Sequence, residues 1–297
     1  MNIDNRIAIE SFIAKGNTNT KSVEKNTEQT IKYLEKKYCE NRILNEAIRF
    51  SDLLFIDAFK ADLESLKRIG FYPSTEAQYE LEFSIKSLLT GNYKSSADHM
   101  RRALELVLAA IYFSLDNKGE SKAKKWLKSK ESTPAFSKCI NLLNNKPRFK
   151  DINKTLFWSK DLKKHYHKLC DYVHVKGINK GYRILNLGNS SATSGNRVLP
   201  INEDTIDEFI ELYQETVQNI LVVLYLYNPI LLIGMPMEEK YGSAAPVGGY
   251  FNDIQANKMK ELIPEKYKDF FEHLASTDEE VLELKNEVLA LPDVSYI

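Results

Sequence analysis

The 297-residue chain is long enough to bury a large core, and its 43% hydrophobic and 28% charged residues are the balance of an ordinary globular protein rather than a disordered or fibrous one. Forty-one Lys+Arg cancel 41 Asp+Glu, and three scattered cysteines (Cys39, Cys139, Cys170) without a CxxC pair exclude a disulfide framework and a structural zinc. Together with an N-terminus that lacks a signal-peptide profile, this points to a reducing, cytoplasmic setting.

In chain order, residues 1–26 are weakly patterned. Helical periodicity then covers Thr27–Glu40 and Asn45–Arg68, with Gly70 and Pro73 as a stop. Thr75 with Gln78 reads as a capping box for a helix that ends at Gly91-Asn92. Tyr93–Leu115 is the organising element: Met100, Leu104, Val107, Leu108, Ile111 and Leu115 share one face, and beyond Leu106 almost no polar side is left. Asp98–Arg102 and Arg101–Glu105 have the spacing to pair along it. The spacing also predicts helices over Lys122–Lys130, from a Thr133 cap with Pro134 in the first turn to Asn144, and over Phe157–Val175. Residues 177–200 read as non-helical, with Tyr182–Leu187 either a short strand or a loop. Asp204 or Asn202 then caps Thr205–Tyr227.

Ile220–Met235 is apolar but too short to span a membrane, and Asn228-Pro229 interrupts it. Residues 234–251 read as a linker or surface loop. Two helices close the chain, Asn257–Ala275 with a break at Pro264 and Thr277–Ala290 behind a Ser276/Glu279 capping box. The expected organisation is all-α, with an N-terminal segment (1–73), a central helical bundle (74–230) and an acidic C-terminal appendage (231–297).

Charge is unevenly distributed. Lys118–Lys168 holds 15 basic residues against four acidic ones, whereas Pro200–Ile297 holds six against 19. Such polarity either attracts a polyanion or lets the two segments face each other in the fold or across a dimer. Trp126 and Trp158, near the basic run, either stack bases or pack the core.

Chemistry concentrates in Phe157–Val175. With Leu162 at the origin, Tyr166, Leu169 and Val173 fall within about 40° and form the expected buried stripe, while His167, Asp171 and His174 share the opposite flank. Three readings compete. The flank is a solvated polar surface in which Asp171 pairs with a histidine. Alternatively it is a metal site completed by Asp98, His99 or Glu105. In the third reading it performs acid–base work on a phosphodiester, a histidine moving the proton of a ribose 2′-OH while a cation stabilises the phosphorane.

The stretches 92–105 (NYKSSADHMRRALE) and 169–174 (LCDYVH) resemble the HEPN superfamily, helical bundles of toxin, abortive-infection and antiviral systems. The resemblance spans Ser74–Tyr227. It implies a dimer in which two Arg-x4–6-His motifs meet and cut RNA without a metal or cofactor. His174 matches the motif histidine, but Lys168 or His167 stands where the arginine belongs. Lysine lacks the bidentate fork of arginine, so Arg101 or Arg102 would have to supply the guanidinium. The resulting set is His174 as acid–base group, His167 and Asp171 as orienting partners, and Lys168 with Arg101 or Arg102 as phosphate clamp. Many relatives lack the motif and serve as scaffolds, so a non-catalytic dimerisation or partner-binding protein is the alternative. A metal-dependent phosphodiesterase is the third.

Overall fold

The structure, a computed structural model, describes residues 20, 23–57, 71–174, 176, 201–242 and 251–294. It is all-helical. Among the described residues thirteen α-helices run in the order α1 (23–38), α2 (Arg42–Asp57), α3 (Phe71–Leu89), α4 (Tyr93–Leu115), α5 (Gly119–Leu127), α6 (Phe136–Leu143), α7 (Pro147–Thr155) and α8 (Trp158–Val173), followed by α9 (Glu203–Tyr227), α10 (Met237–Tyr241), α11 (Asp253–Glu261), α12 (Lys268–Thr277) and α13 (Glu279–Ala290). The expected strand at 182–187 and the rest of 177–200 lie outside the described residues.

The α4 helix is the centre, as its composition demands. Met100, Leu104, Val107, Leu108 and Ile111 are buried, and Ala109, Ala110, Tyr112 and Phe113 bury the remaining sides. Helices α3, α5, α6, α8 and α9 pack around it. The α3–α4 hairpin closes through Gly91, whose positive φ of 75° lets its N–H reach Leu88 O and lets the Asn92 N–H reach Ser87 O. Asn92 then caps α4 by accepting from the Ser95 N–H. Buried Ser84 and Ser96 keep the two helices close, the Ser96 hydroxyl donating to Ser84 O at 2.8 Å. Gly119 permits a second close approach: a Cβ there would lie 1.9 Å from the Phe113 carbonyl oxygen.

Several boundaries depart from the sequence reading. The end of the expected Asn45–Arg68 helix and its Gly70 stop lie outside the described residues; Thr75 is not a cap, because α3 already includes Phe71, and Pro73 sits in its first turn, where no intrahelical N–H bond is lost. Thr133 accepts from the Trp126 Nε1–H at 3.1 Å instead of capping α6, which starts only at Phe136. The break expected at Pro264 is present, with a 3₁₀ turn at Glu265–Tyr267 between α11 and α12, but α11 starts earlier than expected, at Asp253. Asp278, not Ser276, caps α13. Inside the expected loop at 234–251, Gly234–Met235 pairs in parallel with Phe251–Asn252.

A continuous apolar core passes through all three expected segments, from Leu44 and Phe50 of α2 through α3, α4, α8 and α9 to Phe251, Met259 and Phe271. Polar ties reinforce it. The hydroxyls of Tyr33 and Tyr38 both donate to Asp207 Oδ1 at 2.7 Å, and Lys37 pairs with the same carboxylate, binding α1 to α9. The apolar run after Ile220 is the buried end of α9 and a 3₁₀ turn at Pro229–Leu232. Among the described residues no helix is long and apolar enough to cross a membrane.

Candidate functional site

Helix α8 carries most of the residues at issue; it packs chiefly on α4, with α7 and α9 at its sides. Trp158 is buried and donates its Nε1–H to Phe149 O at 2.8 Å, so it is core and not a base-stacking platform. Phe157 precedes the helix in the left-handed region (φ 52°), and Asn153 takes over the capping role by accepting the Ser159 N–H and hydroxyl at 3.2 and 3.0 Å.

The buried face is rotated from the expected stripe. Leu162 and Leu169 are inside as predicted, but His165 and Tyr172 complete the face, while Tyr166 and Val173 are only half-buried. Burial of His165 is possible because α9 brings acceptors to both ring nitrogens: Nδ1 lies 3.0 Å from Glu215 Oε2 and Nε2 lies 2.8 Å from Thr216 Oγ1. The Thr216 hydroxyl spends its proton on Leu212 O at 2.7 Å, so it can only accept from Nε2–H. The His165 hydrogen bond, and then the nearby Lys168 charge, hold Glu215 below the usual carboxylate range against the opposing effect of burial. Sequence reasoning misses this histidine. Its signal is its position one turn from both Leu162 and Leu169.

The expected flank is present at the surface, with changed partners. His167 and His174 are exposed. His174 is the C-cap rather than part of the helix, its N–H bonding to Cys170 O at 2.9 Å. Asp171 pairs with Lys176 Nζ at 2.7 Å instead of orienting a histidine, and Lys168 Nζ stands 3.6 Å from Glu215 Oε2. Lys160, Lys163 and Lys164 are also exposed, and among the described residues none has a carboxylate within ion-pair distance. At three- and four-residue spacing these lysines, His167, Asp171 and His174 form one side of a rod about 20 Å long, the Asp171 carboxylate being taken up by Lys176.

The two arginines do not form an open clamp. Arg101 donates from Nη1 to Glu105 Oε1 at 2.7 Å and from Nη2 to Asp98 Oδ1 at 2.9 Å. Arg102 donates from Nε to Glu80 Oε1 at 3.0 Å and pairs with Asp98, while its Nη2 lies 2.8 Å from His99 Nδ1. The Asp98–Arg102 and Arg101–Glu105 pairs thus form as their spacing predicts. Arg101 reaches α8, because the Tyr166 hydroxyl donates to the same Glu105 Oε1 at 2.6 Å. Arg102 instead turns toward α3, lining a groove with Glu76, Glu80, Glu131 and Lys130 whose acidic balance does not suit a phosphate. His99 is held by Glu80 Oε2 at 2.6 Å, and among the described residues no group of three or more His, Cys, Asp or Glu side chains is placed to hold a metal ion.

Both inner cysteines are poor nucleophiles. Burial pushes the Cys139 thiol up to about 12, and burial also raises Cys170, although Tyr166 and Arg101 pull it the other way. Part of the charge polarity is spent internally, since Arg148 of the basic segment pairs with Asp278 and Glu280 of the acidic one.

No family model, curated protein or solved structure matches this chain.

Proposed function

We propose that the protein is a nucleic-acid-directed helical bundle that binds RNA along the exposed side of α8. One observation carries this reading. Lys160, Lys163 and Lys164 stand exposed beside His167 and His174, and among the described residues these lysines have no carboxylate partner. Phosphate contacts supply most of the non-specific affinity of such proteins, and a row of unpaired cations on a rigid helix is suited to making them.

Metal-independent cleavage is the chemistry this side would carry, in keeping with the resemblance to HEPN ribonucleases of bacterial defence and toxin systems. His174 or His167 would take the 2′-OH proton or protonate the leaving 5′-oxygen. Arg101 meets Tyr166 of α8 at Glu105 and so offers a guanidinium beside this helix. Its engagement with Asp98 and Glu105 favours the second reading, a module that binds RNA or a protein partner without cutting, unless pairing of two copies frees it. The test is incubation with RNA in EDTA. Cleavage by the wild type that is lost in His174→Ala, with circular dichroism and RNA affinity unchanged, supports the nuclease. Binding without cleavage supports the second reading. An absence of both overturns the proposal.

A further inference from the structure

A cleft of about 630 Å³ opens in the C-terminal segment between the 3₁₀ turn at Pro229–Leu232, α11, α12 and α13. Its floor is apolar. Leu232, Ile233, Ile263 and Phe271 are buried there, and Leu282 remains 39% exposed at its edge. The size lies within the range of small-molecule sites, which pair an apolar lining with a few convergent polar groups.

The polar groups here are unexpected for their surroundings. Only six lysines or arginines occur from Pro200 to Ile297 against 19 acidic residues, yet Lys260, Lys268 and Lys285, from three different helices, all line this cleft. Two carboxylates also line it. Glu261 is occupied by Arg42 Nη2 at 2.5 Å, and Glu272 stands on the rim. Lys268 is shared with Glu265 at 2.5 Å, whereas Lys260 and Lys285 have no carboxylate within ion-pair distance among the described residues. The Ser276 hydroxyl at the edge donates to His273 O.

We infer that the cleft binds a small amphiphilic anion, its apolar body against Ile263, Phe271 and Leu282 and its single carboxylate or phosphate at the rim formed by Lys260 and Lys285. Charge complementarity selects an anionic head over a neutral or cationic one, and the apolar floor selects a hydrocarbon or aromatic body over a sugar. The inference is independent of the RNA reading, which uses another helix.

The test is calorimetric titration of the full chain with decanoate, decyl phosphate, decan-1-ol and decyltrimethylammonium below their micelle concentrations. Saturable one-to-one binding of at least one anion, with the alcohol and the cation at least tenfold weaker, is expected, and the tighter anion identifies the head group. The double variant Lys260→Gln/Lys285→Gln should weaken the anion about tenfold or more and leave the alcohol unchanged. Should that variant fail to fold by circular dichroism, the exposed single change Lys285→Gln, with an expected loss of at least threefold, replaces it. Absence of saturable binding, equal affinity for the alcohol, or anion affinity unchanged in the folded variant overturns the inference.

Discussion

Arg148 grips both carboxylate oxygens of Asp278, Nε to Oδ2 at 2.8 Å and Nη2 to Oδ1 at 3.0 Å, across 130 residues of sequence. The same Oδ1 accepts the Val281 N–H and so caps α13. One carboxylate thereby starts a helix and ties the basic part of the chain to the acidic part.

Because Asp278 does both jobs in a largely buried position, Asp278→Ala should cost about 2 kcal/mol, combining removal of a cap with removal of charge-assisted hydrogen bonds. Glu280 meets Arg148 at 3.0 Å but stands half-exposed, so Glu280→Ala should cost at most about 1 kcal/mol. Urea unfolding of the two variants measures the difference, and equal losses of stability would mean that Asp278 is not acting as described.

The tie between α1 and α9 predicts an acid-sensitive component of stability. Burial opposes the charge on Asp207, but hydrogen bonds from Lys37, Tyr38 and Tyr33 outweigh it and hold the carboxyl below its ordinary range. A depressed folded-state pKa stabilises the protein above the unfolded-state value of about 4, and the contribution is lost as the pH falls through the lower folded value. The stability gap between wild type and Asp207→Asn should therefore be constant from about pH 5 to 8 and narrow below about pH 4. Urea midpoints at neutral pH and near pH 3 report it. A gap of unchanged size at the acid end contradicts this account.

Two histidines two residues apart should behave oppositely. His165→Ala removes a buried ring bonded at both nitrogens and should destabilise by roughly 2–4 kcal/mol. His167→Ala touches only an exposed side and should change stability by less than about 0.5 kcal/mol, while weakening RNA binding. Denaturation and binding titrations on both variants separate the roles. A silent His165→Ala would show that its burial contributes nothing.

The central helix is legible because twenty-three residues with so little polar surface have only one place to go. The α3 boundary is not, because a proline that reads as a stop costs no hydrogen bond in a first turn. Helix α7 is hidden as well: among its nine residues only Phe149 and Ile152 are buried, too few to show a period. His165 is obscured for a related reason. Leucine, tyrosine and valine offer a plausible stripe, and only the placement of Glu215 and Thr216 on α9 makes a histidine the better buried residue. Of the candidate site, the shared exposure of His167 and His174 is readable from spacing. The closure of Arg101 and Arg102 by three carboxylates is only half visible, because Glu80 comes from another helix.

The most direct measurement is the salt dependence of single-stranded RNA binding, followed by fluorescence anisotropy, for wild type and for Lys160→Gln/Lys163→Gln/Lys164→Gln. Each lysine that no longer neutralises a phosphate should take about 0.7 off the slope of log K against log salt, so the triple variant should be shallower by roughly 2, with weaker affinity at low salt. An RNA affinity and salt slope that survive the triple substitution, in a variant that stays folded, would contradict the assignment of α8 as the nucleic-acid interface.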